Sequence, residues 1–212
     1  MAPTPGGFRH SAQLQDILRE SQGRGLLGPT PVGQHVVHAQ AMAAAFSGAP
    51  SSFLDLGCGG GVPGLVLAEL WPASRGVLLD AAARRCRFLT TATAALHLDD
   101  RVRVVHARAE DAARDPALRE MFPAVVARSF GPPAVTAECA TGFLAVGGRL
   151  VVSTPPGAPG LWPAEALAEL GLEREGPPPT TRSVVVFRKA ASLTERYPRR
   201  AGVPSRRPLW CA

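Results

Sequence analysis

Between residues 55 and 64 the chain reads Asp-Leu-Gly-Cys-Gly-Gly-Gly-Val-Pro-Gly. Neither a helix interior nor a strand interior tolerates glycine at that density, because each glycine gives up the most backbone entropy on ordering and contributes no side chain to pack. The flanks differ in period. Residues 52–56 form a short apolar run of strand length, and residues 63–70 repeat their apolar positions at helical spacing, with Pro63 where a missing N–H does no harm. The segment is therefore a tight turn from a buried strand into a helix. In an open sheet that is where a ligand sits, because the glycines let backbone approach it closely and the helix start offers unpaired N–H groups.

The rest of the chain repeats the alternation. Strands are expected at 76–80, 102–106, 124–129 and 148–154, and helices at 82–96, 113–120, 133–143 and 161–169. Residues 171–175 and 182–189 are expected to close the sheet as an antiparallel hairpin across the Pro-Pro-Pro-Thr-Thr loop. Two helices, 8–21 and 32–46, come before the first strand. Alternating strands and helices require a mostly parallel sheet covered on both faces, and right-handed crossovers make it doubly wound. The expectation is an α/β, doubly wound, mostly parallel seven-stranded sheet with N-terminal helices. It divides into an N-terminal helical extension (1–50), the sheet domain (51–189) and a basic C-terminal tail (190–212).

Composition excludes several classes. The 212 residues are 46% hydrophobic, enough for one sizeable core. No basic-then-apolar stretch opens the chain, and the longest apolar run holds Asp55, Glu69 and the glycine cluster, so no membrane span is expected. Cys58, Cys86, Cys139 and Cys211 are scattered without a Cys-x-x-Cys pair, which suits reduced thiols in a cytoplasmic protein and no metal site. The net charge of +6 is unevenly placed. Lys189, Arg196, Arg199, Arg200, Arg206 and Arg207 stand against Glu195 alone after residue 188. Such a tail suits an anionic partner, nucleic acid first, or simply a solubilising function.

Three groups of residues are candidates for chemistry. In the first, Asp55, Gly57, Gly59, Gly61 and Pro63 build the loop. The pattern at 59–64 also fits the dinucleotide signature, but an acid just before the first glycine disfavours a pyrophosphate and suits a cationic ammonium and sulfonium. Asp80 ends the second strand, where a carboxylate accepts ribose hydroxyls or caps the next helix. Ala109 and Glu110 follow the third strand and are placed to read adenine or to cap a helix. The second candidate is Arg128, which closes an apolar strand and so needs a partner. It either fixes an anionic acceptor or pairs with Asp55 or Glu138. The third is the set Arg199, Arg200, Arg206 and Arg207 in the tail, expected to hold RNA. His35 and His38, one helical turn apart, are read as partly exposed helix residues.

On residues 54–64, Leu78-Leu79-Asp80, 84–89, 108–111, Ala127-Arg128-Ser129-Phe130 and the tail segment 197–204 with Arg207-Pro208-Leu209, the chain resembles the bacterial small-subunit ribosomal RNA guanine-N7 methyltransferases, also called glucose-inhibited division protein B. The resemblance implies a sheet of the class I S-adenosylmethionine-dependent methyltransferase type, with S-adenosylmethionine as cofactor, held in part by Arg128 beside the loop residues. It implies Arg128 as the catalytic residue, N7 of a guanine in 16S rRNA as acceptor, and the small ribosomal subunit as partner. No metal or membrane is implied, and the chain is expected to act as a monomer. Three family features differ here. An Asn-Leu-Thr segment before the first strand is missing, Gln34-His35 stands for an Arg-His pair, and Thr154-Pro155-Pro156 falls where the family has a lysine. These departures keep two other readings open, a small-molecule methyltransferase and a non-catalytic RNA-binding paralogue. Guanine N7 carries a lone pair and no proton, so the expected chemistry is alignment and electrostatics without a general base.

Overall fold

The computed structural model describes residues 10–154, 161–176 and 183–211. Two helices lead, α1 (Ala12–Gly23) and α2 (Val32–Ala43). The alternation follows as β1 (Ser52–Leu56), α3 (Gly64–Leu70), β2 (Arg75–Asp80), α4 (Ala83–Ala95), β3 (Val102–His106), α5 (Ala109–Ala112), β4 (Phe122–Ala127), α6 (Pro133–Thr141), β5 (Leu144–Thr154) and α7 (Ala164–Glu169). Strands β6 (Leu172–Glu175) and β7 (Ser183–Lys189) and a short α8 (Val203–Arg206) complete it.

The seven strands lie in the order β3-β2-β1-β4-β5-β7-β6. β1 pairs in parallel with β2 on one side and β4 on the other. The order reverses there, so a crevice opens beyond the carboxyl ends of β1 and β4. Beyond β5 the pairing turns antiparallel, with β7 between β5 and β6. Sequence explains that arrangement: β7 carries Val-Val-Val-Phe and fits an interior position, whereas the charged Leu-Glu-Arg-Glu of β6 suits the exposed edge. The Pro-Pro-Pro-Thr-Thr connection lies outside the described residues, as do Pro155 and Pro156.

Local chemistry shifts several boundaries. α1 begins at Ala12 because Ser11 caps it, its hydroxyl accepting from the Leu14 N–H at 3.1 Å. The helix expected at 113–120 forms earlier, at Ala109–Ala112. Pro116 has no N–H to continue a helix and Glu120 adopts a left-handed backbone, so 113–120 is a series of turns. β4 stops at Ala127 rather than Ser129 because Ser129 is also left-handed, at φ 53°.

Two apolar clusters cover the faces of the sheet. α1 and α2 join one, through Leu14, Leu18, Ala39 and Met42 packed with residues of α3, α4 and the sheet. Phe53 meets Trp71 edge-on at 5.5 Å, a contact worth about 1 kcal/mol beyond area burial. The other cluster takes in Leu193 and Tyr197 of the C-terminal segment, with Leu209 and Trp210 against it. Lys189, counted above among the tail cations, is fully buried: its ammonium donates to the Thr141 carbonyl at 2.8 Å and pairs with Glu120 at 2.5 Å. Among the described residues no helix is long and apolar enough to cross a membrane, and no three His, Cys, Asp or Glu side chains cluster as a metal site requires.

Candidate active site

The Gly-rich turn is held from three sides. Gly57 and Cys58 both donate backbone N–H groups to the Leu79 carbonyl, at 2.8 and 3.0 Å. The Gly59 N–H donates to Asp80 Oδ2 at 2.9 Å, and Asp80 Oδ1 accepts from the Ala82 N–H at 2.8 Å. One carboxylate thus ties the loop to the start of α4, with Arg85 beside it at 3.4 Å. From the third side, the Ser21 hydroxyl donates to the Gly60 carbonyl at 2.8 Å. A Cβ on Gly60 would sit 2.5 Å from that hydroxyl and 2.7 Å from the Leu26 carbonyl, so the N-terminal segment closes on the loop only because residue 60 is glycine. Gly57, at φ 71°, has the same constraint toward Phe130, whose ring would stand 2.6 Å from a Cβ.

Two cavities flank this loop. The first, about 270 Å³, is walled by Gly57, Leu79, Asp80, Ala109, Glu110 and Ser129, with Val135 and Ser205 closing it. The second, about 610 Å³, is walled by Gly28, His35, His38, Gly59, Arg128 and Ser153 among others. Gly57, Arg85 and Ser129 line both. The cavities therefore meet at the reversal point of the sheet, beside a non-glycine residue in left-handed backbone. Such a conformation costs about 1–3 kcal/mol and persists where the surroundings over-determine it.

Arg128 lies just past β4, half-buried, and opens onto the second cavity. Its hydrogen-bond partner is His35, with Arg128 Nη1 2.8 Å from His35 Nδ1; Asp55 acts on it through charge alone, and Glu138 is taken by Arg199. A guanidinium only donates, so Nδ1 accepts, and Nε2–H donates to the Gly28 carbonyl at 3.1 Å. The Arg128 contact requires the neutral imidazole, and the Gly28 contact fixes it as the Nε2–H tautomer. Burial lowers the His35 pKa, the Gly28 carbonyl opposes this and Arg128 lowers it further. His35 is therefore a buried site residue rather than a partly exposed one. The signal for it was helical phase, since His35, Ala39 and Met42 form the buried stripe of α2.

Asp55 is fully buried and lines neither cavity. Its Oδ2 accepts the Gly64 N–H at 2.8 Å, capping α3, while Oδ1 has no partner. Burial raises its pKa to about 7, against the Gly64 N–H and the positive charge of Arg128, with Asp80 adding to the rise. Pro63 stands at the N-cap of α3 and, like Asp55, shapes the loop from behind. Gly61 holds φ 100° at the loop's far end. Cys58 lines the second cavity with its thiol pushed well above the ordinary range by burial, so it is a protonated wall group.

The tail residues separate. Arg199 donates through Nε and Nη2 to both oxygens of Glu138, at 2.9 and 2.6 Å, and Glu138 is fully buried. That guanidinium is occupied. Arg200, Arg206 and Arg207 are exposed. Glu110, expected at adenine, is buried and accepts from the Gly202 N–H at 2.9 Å and Arg108 at 3.2 Å. Burial would raise its pKa, but these donors outweigh it and the net shift is downward.

The sequence profile of the family described as rRNA small subunit methyltransferase G matches residues 15–154. The Ribosomal RNA small subunit methyltransferase G of Roseiflexus sp. (strain RS-1) is 34% identical over 189 residues, covering 84% of this chain and 79% of its own. The protein of the same name from Symbiobacterium thermophilum is 36% identical, covering 97% and 91%. In fold the chain is similar to the O-methyltransferase from Bacillus cereus in complex with SAH, at TM-score 0.59 and 14% identity, covering 86% and 92% of the two chains. A cofactor-bound protein from MTB, Rv0187, gives TM-score 0.59 at 16% identity, covering 85% and 90%. The chain belongs to the rRNA small subunit methyltransferase G family and is an S-adenosylmethionine-dependent methyltransferase.

Proposed function

We propose that this enzyme methylates N7 of a guanine in 16S ribosomal RNA, with the cofactor in the smaller cavity and the acceptor base in the larger. The observation that carries the reading is the lining of the larger cavity. It holds Arg85, Arg128, His35 and His38 and, among the described residues, no carboxylate. An acceptor that had to lose a proton would need a base there. Among the described residues the lining offers no carboxylate base, Cys58 is held protonated, both nitrogens of His35 are engaged, and His38 is the one other imidazole in this lining. Guanine N7 needs no base, only alignment.

The smaller cavity fits the cofactor. Its loop wall is glycine where a side chain would strike Phe130, Asp80 presents a carboxylate at the end of β2, and Leu79, Ala109 and Val135 give apolar surface for a flat ring. When bound, S-adenosylmethionine supplies an electrophilic methyl group on a sulfonium cation. Asp80 would then hold the ribose, Ala109 and Glu110 the adenine edge, and Gly57 and Gly59 the amino-acid end where the two cavities meet, with Gly61 turning the loop and Asp55, half-ionised near neutral pH, behind it. Arg128 acts on the other side. The product ring is cationic, so the guanidinium belongs on guanine O6 or a phosphate, not on the ring face. His35 fixes it in that direction, and Arg200, Arg206 and Arg207 meet RNA phosphates.

The test is single-turnover transfer of labelled methyl to 16S rRNA or small-subunit particles, with product nucleosides resolved. Labelled N7-methylguanosine is expected. Methyl transfer to a small molecule alone, or cofactor binding with no transfer to any rRNA, would contradict the reading.

A further inference from the structure

The smaller cavity has a wall from an unexpected source. Ser205, in the C-terminal segment, lines it beside Glu110, Val135 and Cys139. The segment does not merely lie there. Arg119 and Arg114 donate to the Tyr197 and Pro198 carbonyls at 3.0 and 2.6 Å. Arg199 answers the fully buried Glu138 of α6 through three nitrogens, its own backbone N–H at 2.8 Å among them. The Gly202 N–H answers the buried Glu110 of α5 at 2.9 Å. Those two carboxylates belong to the helices that supply Ala109, Val135 and Cys139 to the same cavity. Unpaired buried carboxylates are strongly unfavourable, so the cavity wall and the docked tail define one arrangement.

We propose that residues 197–206 are part of the cofactor site, with Ser205 facing the adenosine-bearing cofactor and Arg199 a positioning residue that acts through Glu138. The proposal rests on the cofactor occupying the smaller cavity. It changes what the tail is for. Charge alone assigns the segment to RNA and leaves cofactor affinity indifferent to it. The geometry makes cofactor binding and tail docking reciprocal, so each stabilises the other.

The experiment uses the full chain and S-adenosylhomocysteine as probe. Hydrogen exchange over residues 199–206 is followed with and without saturating probe, and affinities are measured by calorimetry. Saturation is expected to slow exchange of the segment about tenfold or more. Arg199→Lys keeps the charge and loses the fork. It is expected to bind about tenfold more weakly, with a raised KM for cofactor and kcat at saturation within about twofold. Ser205→Trp substitutes an exposed position without touching the clamp. It is expected to lose about thirtyfold or more in affinity while the free protein melts at the wild-type temperature. Ser205→Trp binding within about threefold of wild type, or segment exchange indifferent to the probe, would overturn the proposal. Failure of the wild-type chain to bind the probe would overturn the cofactor assignment, and the proposal with it.

Discussion

Asp55 offers a test in which stability and function pull apart. Its carboxyl is fully buried, one oxygen bonded to the Gly64 N–H and the other without a partner, and its pKa is raised from 3.8 to about 7. At about 1.4 kcal/mol for each pH unit, that shift corresponds to about 4 kcal/mol between the neutral and charged forms. The folded pKa lies above the unfolded one, so the associated stability is fully present below pH 3.8 and is lost as pH rises through about 7. Asn at this position keeps an acceptor for Gly64 and matches the neutral acid in shape. Asp55→Asn should therefore match the wild type near pH 4 and exceed it by about 3–4 kcal/mol at pH 8, or about 6–16 °C in Tm for a chain of this size. Urea unfolding of the cofactor-free protein at the two pH values measures this. The lowered pKa of Glu110 and Glu120 gives slopes of the opposite sign, but these are common to both proteins and cancel in the difference. A variant no more stable than wild type at pH 8 would refute the argument. The same substitution removes negative charge behind the cofactor loop and is expected to weaken cofactor binding, a trade of function for stability.

Four further outcomes follow from the acceptor side. Arg128→Ala should lower single-turnover methyl transfer by about 10²–10³, with cofactor affinity nearly unchanged and Arg128→Lys recovering part of the rate; full activity in the alanine variant would remove Arg128 from the reaction. His35→Ala should lower the rate by about 10-fold or more through loss of Arg128 alignment. In the wild type the rate should fall as pH drops through the His35 pKa, which burial holds below the ordinary imidazole value, because protonated Nδ1 no longer accepts from Arg128; an acid limb that persists unchanged in His35→Ala would contradict this. Combined Arg200→Ala, Arg206→Ala and Arg207→Ala should weaken rRNA binding and flatten its salt slope by about 3, read by filter binding across salt; an unchanged slope would assign these residues to solubility.

Much of this architecture is legible without coordinates, for identifiable reasons. Glycine spacing at 57–64 admits one local solution, and alternating apolar periods admit few topologies. The partition of charge is not legible in the same way. A count of cations cannot separate Arg199, clamped on Glu138, from Arg200, exposed beside it. The hidden signal was Glu138 itself, a lone acid in the otherwise uncharged helix Pro133–Thr141, which had to find a cation. Lys189 is the mirror case, a cation ending an apolar strand and answered by Glu120. For His35, spacing from His38 suits a partly exposed pair, and only the family position of Gln34-His35 points to the site; the phase of the helix turns His35 inward with Ala39 and Met42. Residues 113–120 looked helical by composition, yet Pro116 and the turn at Glu120 override propensity there.

The central claim is that the two cavities meeting at Gly57 and Ser129 carry a methyl group to N7 of a guanine in 16S rRNA. The most direct measurement is a map of N7-methylguanosine in 16S rRNA from cells carrying the intact gene, lacking it, or carrying the Arg128→Ala form. The account predicts one modified guanine present with the intact gene, absent without it and strongly reduced in the Arg128→Ala cells. A modification map identical in all three would contradict it.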